Sequence, residues 1–274
     1  MKTLLSTSLL ALLSLSAAAQ SAASPTFKST CDANWTSWMG NRQKGFCETR
    51  DLTLPAPTTG QKLAIDGRRN GGITVRGWDG PDVRVRAQVQ AWGGSETAAQ
   101  TQAKAIKISS AGNTLRADAG TGDDQWSVSY EVFVPRQTAL ALTTHNGGIR
   151  IENVQAPITF ESKNGGIHLA GLGGDVRGTT TNGGVHVTLT GTEWTGKGLD
   201  VTTTNGGITW HIPEAYSAQL KTQTQHGGLT TDYPVTVSGK IGRSLDTKLG
   251  QGGAPVSVVT TNGGILLRRA TAAD

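Results

Sequence analysis

Charged residues are scarce in this 274-residue chain, where aspartate, glutamate, lysine and arginine make up only 16% of the sequence. A disordered chain combines high charge with few apolar residues, whereas here 36% of residues are hydrophobic and seven are tryptophan. The 37 glycines lack the every-third-residue period of collagen. Glycine, threonine and valine dominate where alanine, leucine and glutamate would dominate a helical protein, so an all-β fold is favoured.

Long apolar runs are absent after the first residues of the chain. Lys2 is followed by an apolar run that ends near Leu15, and Ala17 and Ala19 then have the spacing that signal peptidase accepts. The run is shorter than the roughly 20 apolar residues that a membrane span needs. We therefore predict a signal peptide at 1–19, no transmembrane segment, and an exported chain in the periplasm, at the cell surface or outside the cell.

Cysteine is equally rare, and the two cysteines present are Cys31 and Cys47. In an exported chain such a pair is most simply one disulfide. Closing this loop would stabilise the fold by roughly 3 kcal/mol on the chain-entropy model. A catalytic cysteine is the alternative, but no cysteine-protease signature surrounds either residue.

A short motif of asparagine, two glycines and an aliphatic residue recurs along the chain. Its first residues are Asn70, Asn146, Asn164, Asn182, Asn205 and Asn262, with a histidine variant at His226. From Asn146 onward the motifs are 18 to 23 residues apart, except for a last interval of 36, which equals two units of 18. A period near 20 residues is typical of a repeat architecture.

Two further columns accompany the motif. A hydroxyl residue stands two positions before its first residue, at Thr144, Ser162, Thr180, Thr203, Thr224 and Thr260, and an aliphatic residue three positions after it, at Ile149, Ile167, Val185, Ile208, Leu229 and Ile265. Asn-Gly predicts a tight turn with positive φ angles, and the second glycine predicts a close approach of two backbones. The alternating residues after the turn predict half-buried strands.

Two architectures fit this period, an antiparallel meander and a β-solenoid. In a meander the like turns lie two strands apart, about 9.6 Å, whereas in a solenoid they stack about 4.8 Å apart and touch. Contact explains why the columns are alike, because stacked threonines and asparagines can hydrogen-bond along a column. The solenoid is favoured.

The region before Asn146 repeats less and predicts a cap. It contains an alternating strand at 82–92, a short helix from the N-cap Ser95 to about Ala105, and further strands at 106–109, 114–117 and 126–134. A terminal coil needs such a cap because its open end is an unpaired sheet edge. We predict an N-terminal extension with the disulfide loop at 20–60 and a solenoid domain at 61–274.

This combination resembles the bacterial putative adhesin family of unknown function, whose members are exported proteins built on Asn-Gly repeats. The resemblance rests on 46–48, on 70–73 followed by 77–79, on Trp126–Pro135, and on the repeats across 144–265. It implies a β-solenoid. It implies no catalytic residues, since none are assigned in the family.

Catalytic motifs are missing from the sequence. A polysaccharide hydrolase or lyase on a solenoid needs paired carboxylates on one face, and Asp123 and Asp124 read instead as a solvated turn in a glycine-rich loop. There is no Gly-x-Ser-x-Gly elbow, no phosphate loop and no His-Glu-x-x-His. We predict no catalytic residue, no metal and no cofactor. The net charge of +5 is spread without a basic run, so nucleic acid is not an expected partner.

Four residues form the candidate binding surface. His168 and His186 occupy one column and should lie about 5 Å apart, although with Arg150 and Thr209 beside them they lack a third metal ligand. Trp194 and Trp210 either present exposed rings to a sugar or partner, or cover the coil ends. The predicted function is an exported, non-enzymatic adhesin or envelope interaction module whose partner is an unknown surface, glycan or protein. A polysaccharide-acting enzyme and a purely structural envelope protein are the alternatives.

Overall fold

The computed structural model describes residues 24–31, 43–120, 125–234 and 242–271. The predicted signal peptide and the pair Asp123 and Asp124 lie outside these residues. Among the described residues no helix is long and apolar enough to cross a membrane.

The described residues form twenty strands, one α-helix and one 3₁₀ turn. In chain order they are β1 (Lys44–Pro55), β2 (Lys62–Asp66), β3 (Ile73–Trp78), β4 (Asp82–Gly93), α1 (Glu96–Ala105), β5 (Lys107–Ser109), the 3₁₀ turn (Ala111–Asn113), β6 (Thr114–Asp118), β7 (Trp126–Pro135), β8 (Ala139–Thr144), β9 (Ile149–Glu152), β10 (Ile158–Asn164), β11 (Ile167–Ala170), β12 (Asp175–Asn182), β13 (Val185–Thr188), β14 (Gly198–Asn205), β15 (Ile208–Ile212), β16 (Ala218–His226), β17 (Leu229–Thr231), β18 (Ser244–Leu249), β19 (Pro255–Asn262) and β20 (Ile265–Arg269).

The strands form two ten-stranded sheets, and each coil gives one strand to each sheet. The first sheet has the order β1-β4-β7-β3-β9-β11-β13-β15-β20-β17, and the second has the order β18-β16-β19-β14-β12-β10-β8-β2-β6-β5. Pairing is parallel from β8 through β15, and Asn164 lies opposite Asn182. The all-β solenoid is thereby confirmed, and the meander alternative is wrong.

The core lies between the two sheets and follows the alternation of each strand. Ile149, Ile167, Val185 and Ile208 stack in register, and each is at most 1% exposed. Burying each such side chain contributes about 1.5–3 kcal/mol. The aliphatic column of the sequence is therefore the continuous core of the solenoid.

The order of coils in space differs from their order in the chain. The coil of β19 and β20 lies between that of β14 and β15 and that of β16 and β17. The interval of 36 residues is therefore not two successive units, because it includes β18, which turns back antiparallel to β16. At the other end β6 and β7 lie outside β2 and β3, which are the neighbours of β8 and β9.

The turn of the motif differs from the predicted one. None of the motif glycines has a positive φ angle. The first glycine is instead required by close stacking: a Cβ on Gly183 would stand 2.0 Å from the carbonyl oxygen of Gly165. The predicted close approach thus belongs to the first glycine and not to the second.

The threonine column bonds to backbone rather than to itself. The Thr180 hydroxyl donates to the carbonyl oxygen of Gly165 at 3.1 Å, and the Thr203 hydroxyl donates to that of Gly183 at 2.8 Å. The prediction that threonines bond to one another is wrong, because their side chains point inward at the corner, where glycine carbonyls are the nearest acceptors.

The N-terminal cap contains the predicted helix and a long edge strand. The Ser95 side chain accepts a hydrogen bond from the backbone N–H of Ala98 and caps α1. β1, which lies within the predicted extension, pairs with β4 along its whole length.

In the structure Cys31 and Cys47 form a disulfide with a Cα–Cα distance of 5.7 Å. It ties residues 24–31, here called the N-terminal strap, to β1.

Candidate functional site

An asparagine ladder forms one corner of the solenoid. Each amide nitrogen donates to the amide oxygen in the adjacent coil at 2.7–3.0 Å, linking Asn70, Asn146, Asn164, Asn182, Asn205 and Asn262 in that order. His226 continues the same row opposite Asn262. The ladder uses one donor and one acceptor of each inner amide, so its first role is to hold the coils in register.

The two histidines of the predicted surface stack on the outside of the first sheet. The ring centroids of His168 and His186 are 4.7 Å apart, and the ring planes differ by 8°. Arg150 and Thr209 flank them in register on β9 and β15. We call the outward residues Arg150, His168, His186, Thr209 and His211 the histidine face.

Burial and nearby positive charge lower the pKa of both imidazoles. Burial lowers the pKa of His168, and the positive charges of Arg150 and His186 lower it further, against a smaller opposing effect of Glu152. The pKa of His186 is lowered by burial, by His211 and by Arg150. An anion bound on this face would favour the protonated form of both imidazoles, so their protonation would respond to the charge of a ligand.

The carboxylates nearest the histidine face are already paired. Glu152 accepts from Arg150 at 3.1 Å and from Arg76 at 2.7 Å. Arg76 also bonds to Glu131, which is only 4% exposed. Arg150 stays 43% exposed at its side chain. This charge network positions the Arg150 guanidinium at the edge of the histidine face. Its partner Glu152 also bonds to Arg76 on β3.

Comparison with known protein families identifies the domain. A family model described as Toastrack DUF4097 matches residues 52–268. The chain belongs to the Toastrack DUF4097 family. The Toastrack match runs from within β1 to within β20, and the family resemblance inferred from the repeats is confirmed. No curated protein matches the chain significantly.

Three solved structures from bacteria are among those similar to this Toastrack chain. A putative cell adhesion protein from Clostridium sporogenes is 11% identical, with a TM-score of 0.46, covering 82% of this chain and 100% of that one. A putative adhesin from Bacteroides fragilis is 12% identical, with a TM-score of 0.34 and coverage of 81% and 97%. A putative lipid binding protein from Parabacteroides distasonis is 8% identical, with a TM-score of 0.28 and coverage of 80% and 96%.

The two tryptophans do not belong to the surface of this Toastrack domain. Trp210 is fully buried between Val187 and Leu267, and its indole N–H donates to the Thr222 hydroxyl at 3.3 Å. Trp194 is 6% exposed and donates to the carbonyl oxygen of Gly174 at 3.1 Å. Their assignment to a binding surface is wrong, because each large apolar ring fills the interior and satisfies its one donor there.

The alternation of inward and outward side chains along β15 could have predicted from the sequence that Trp210 is buried and that His211 is on the surface. Counting outward and inward positions from Ile208 places Trp210 inward and Thr209 and His211 outward. His211 therefore joins the histidine face, which sequence reasoning had left out. Within 24–31, 43–120, 125–234 and 242–271, no three histidine, cysteine or acidic residues are arranged to hold a metal ion.

Proposed function

We propose that this Toastrack protein is an exported, non-enzymatic interaction module that binds its partner through the histidine face. The observation that carries the proposal is the contrast between repeated and variable columns. Asparagine, threonine, glycine and aliphatic columns each have a scaffold contact, whereas the outward column changes from Arg150 through His168 and His186 to Thr209. Recognition resides in the positions that the fold leaves free.

Export is supported by the leader-like sequence and by the cysteine pair.

Absence of catalysis is supported by the sequence, which contains no acid/base pair or nucleophile motif, and by the ion pairs of Glu131 and Glu152 with Arg76. The purified protein should release no product from a panel of bacterial and plant polysaccharides. Turnover that a single carboxylate substitution abolishes, with folding preserved, would favour the enzyme instead.

Binding can be tested by retention of the purified chain on bacterial envelope and glycan fractions. The His168→Ala/His186→Ala variant should lose most of the retention. The matched control is Thr202→Ala/Gln223→Ala, which changes two exposed residues on the outside of the second sheet and should behave as the unaltered chain. Equal retention of both variants would contradict the histidine face, and no retention of the unaltered chain would favour a purely structural role.

A further inference from the structure

A cleft lies at the corner where the chain passes from the first sheet to the second, away from the asparagine ladder. Its walls are the connection from β1 to β2, the connection from β7 to β8, and the starts of β8 and β10. Its volume is about 620 Å³, within the range of about 300–1,000 Å³ that is typical of small-molecule sites. Three prolines line it, and we call it the proline cleft.

Each of the three prolines stands at or near the boundary of a strand. Pro135 is the last residue of β7, Pro157 directly precedes β10, and Pro57 follows the end of β1 by two residues. Proline has a fixed φ angle and no backbone N–H, so it can stand at a strand boundary without leaving a donor unpaired. The same properties make the walls of the cleft stiff and poor in hydrogen-bond donors. Such walls suit a ligand with few polar atoms.

Aliphatic side chains continue the apolar walls of the proline cleft. Leu140 is 1% exposed and forms part of the core, Ala56 packs against the core, and Ala139 is half-buried at the start of β8. The polar lining residues are mostly exposed, as at Thr58 and Gln137. An apolar ligand in the cleft would therefore be removed from water on the side of the prolines and aliphatic residues, which the hydrophobic effect favours.

Lys62 gives the proline cleft a single charge. None of the other lining residues is charged, so the cleft contains a cation and no carboxylate. Lys62 is the first residue of β2 and lies opposite Ala139, which places it beside the apolar wall. Among the residues that the structure describes, no carboxylate forms an ion pair with its ammonium group. The cleft thus combines apolar walls with one available positive charge.

We propose that the proline cleft binds a planar aromatic compound that carries one anionic group. The aromatic rings pack against the pyrrolidine rings of Pro57, Pro135 and Pro157, since proline and aromatic rings are complementary surfaces in protein recognition. The anionic group pairs with the ammonium of Lys62. The site is separate from the histidine face, and neither proposal depends on the other.

The test is calorimetric titration of the full chain with 2-naphthoate. Two probes separate the contributions of ring and charge: 2-naphthylmethylammonium has the same rings with the opposite charge, and acetate has the carboxylate without the rings. 2-Naphthoate should bind, the ammonium compound should bind about fivefold more weakly or less, and acetate should give no measurable binding. Equally tight binding of the two naphthalene compounds would overturn the proposal, and so would absence of 2-naphthoate binding.

Lys62→Gln examines the role of the charge. This variant should weaken 2-naphthoate binding about fivefold or more, because the charge-assisted contact is lost, and should remove most of the difference between the two naphthalene compounds. The matched control is Lys107→Gln, which removes the same charge from an exposed position on β5 outside the cleft. It should leave binding within about twofold. Equal effects of the two variants would contradict the assignment of Lys62.

Ala139→Leu examines the apolar wall, because the larger side chain occupies part of the cleft. It should weaken 2-naphthoate binding about tenfold or more, while Thr179→Leu, at an exposed position on the same face of the second sheet outside the cleft, should leave binding unchanged. Thermal unfolding of each variant reports whether the fold is kept, and the lysine pair decides the question if Ala139→Leu does not fold. Equal binding by the two folded leucine variants would overturn the proposal. Retention on envelope fractions through the histidine face would survive each of these outcomes.

Discussion

The two glycines of each motif differ in how much space surrounds them for a side chain. A Cβ on the first glycine collides with the neighbouring coil's backbone, as at Gly183, whereas a Cβ on the second glycine stays 3.2–3.7 Å from its nearest neighbours. At Gly228, in the coil of the edge strand β17, it meets nothing within 4 Å. Since neither has a positive φ angle, the difference is one of space and not of backbone conformation. The first glycine sets how closely the coils can stack.

Gly183→Val should therefore destabilise the protein by roughly 1–3 kcal/mol, because the coil must move away from Gly165 to admit a side chain. Gly228→Val is the matched control and should change stability by less than about 0.5 kcal/mol. Chemical denaturation of both variants measures the difference. Equal stability of the two would show that stacking at the corner is looser than the structure indicates.

The histidine pair makes stability depend on pH. Both folded-state pKa values are lowered, chiefly by burial, so the unfolded chain binds protons more readily than the folded one. The contribution of the two histidines to the free energy of unfolding is complete above about pH 6.5, the ordinary histidine pKa. It is lost as the pH falls through their lowered folded-state pKa values. His168→Gln/His186→Gln should flatten this part of the pH–stability curve, and an unchanged slope in this variant would contradict the expectation.

At the scale of elements, one buried carboxylate secures the N-terminal strap to β7. Glu131 accepts from the backbone N–H of Lys28 at 2.9 Å and of Ser29 at 2.7 Å, and it also bonds to the Ser29 hydroxyl and to Arg76. Phe27 packs edge-on against Phe133 with 5.4 Å between ring centroids. The strap thus covers an outer face of the first sheet that would otherwise expose aromatic surface.

The attachment of the strap should weaken in acid. Burial alone would raise the pKa of Glu131, but hydrogen bonds from Ser29, Lys28 and Arg76 outweigh it, and the pKa is lowered. Its stabilisation is therefore complete above the ordinary glutamate pKa of about 4.3 and is lost as the pH falls through the lowered value. Glu131→Gln should produce the same weakening at neutral pH.

Hydrogen exchange of the Lys28 and Ser29 amides measures this attachment. Their protection should fall at least several-fold in Glu131→Gln and remain unchanged in Glu193→Gln, which alters an exposed carboxylate in a distant loop. Unchanged protection in Glu131→Gln would mean that the disulfide and the aromatic contact hold the strap without the carboxylate.

At the scale of the whole molecule, the last coil of the chain is an interior coil of the solenoid. β20 has β15 on one side and β17 on the other, and Leu267 is fully buried. In a stacked array, stability depends on contacts with both neighbours, so an interior coil is held more firmly than a terminal one. The C-terminal strands therefore secure the coil that precedes them in sequence.

Native-state hydrogen exchange should follow the order in space. Amides of β19 and β20 should be protected as strongly as those of β14 and β15, whereas amides of β17 and β18 at the sheet edges should exchange faster. Fraying that increases steadily from β15 to β20 would instead match the order of the chain and contradict this arrangement.

Local patterns were enough to predict the coil, the core column, α1 and the asparagine stack, because each depends on residues within one repeat or in the same position of the next. The alternation of side chains along β15 also predicts that Trp210 points inward, but only the structure made this evident.

The burial of Trp194, the contact between Glu131 and the strap, and the insertion of β19 and β20 depend on partners 20 to 102 residues away. No periodic signal encodes such pairings, since a coil presents the same backbone edge to any neighbour. Which coil stacks on which is decided by side-chain fit in the assembled solenoid.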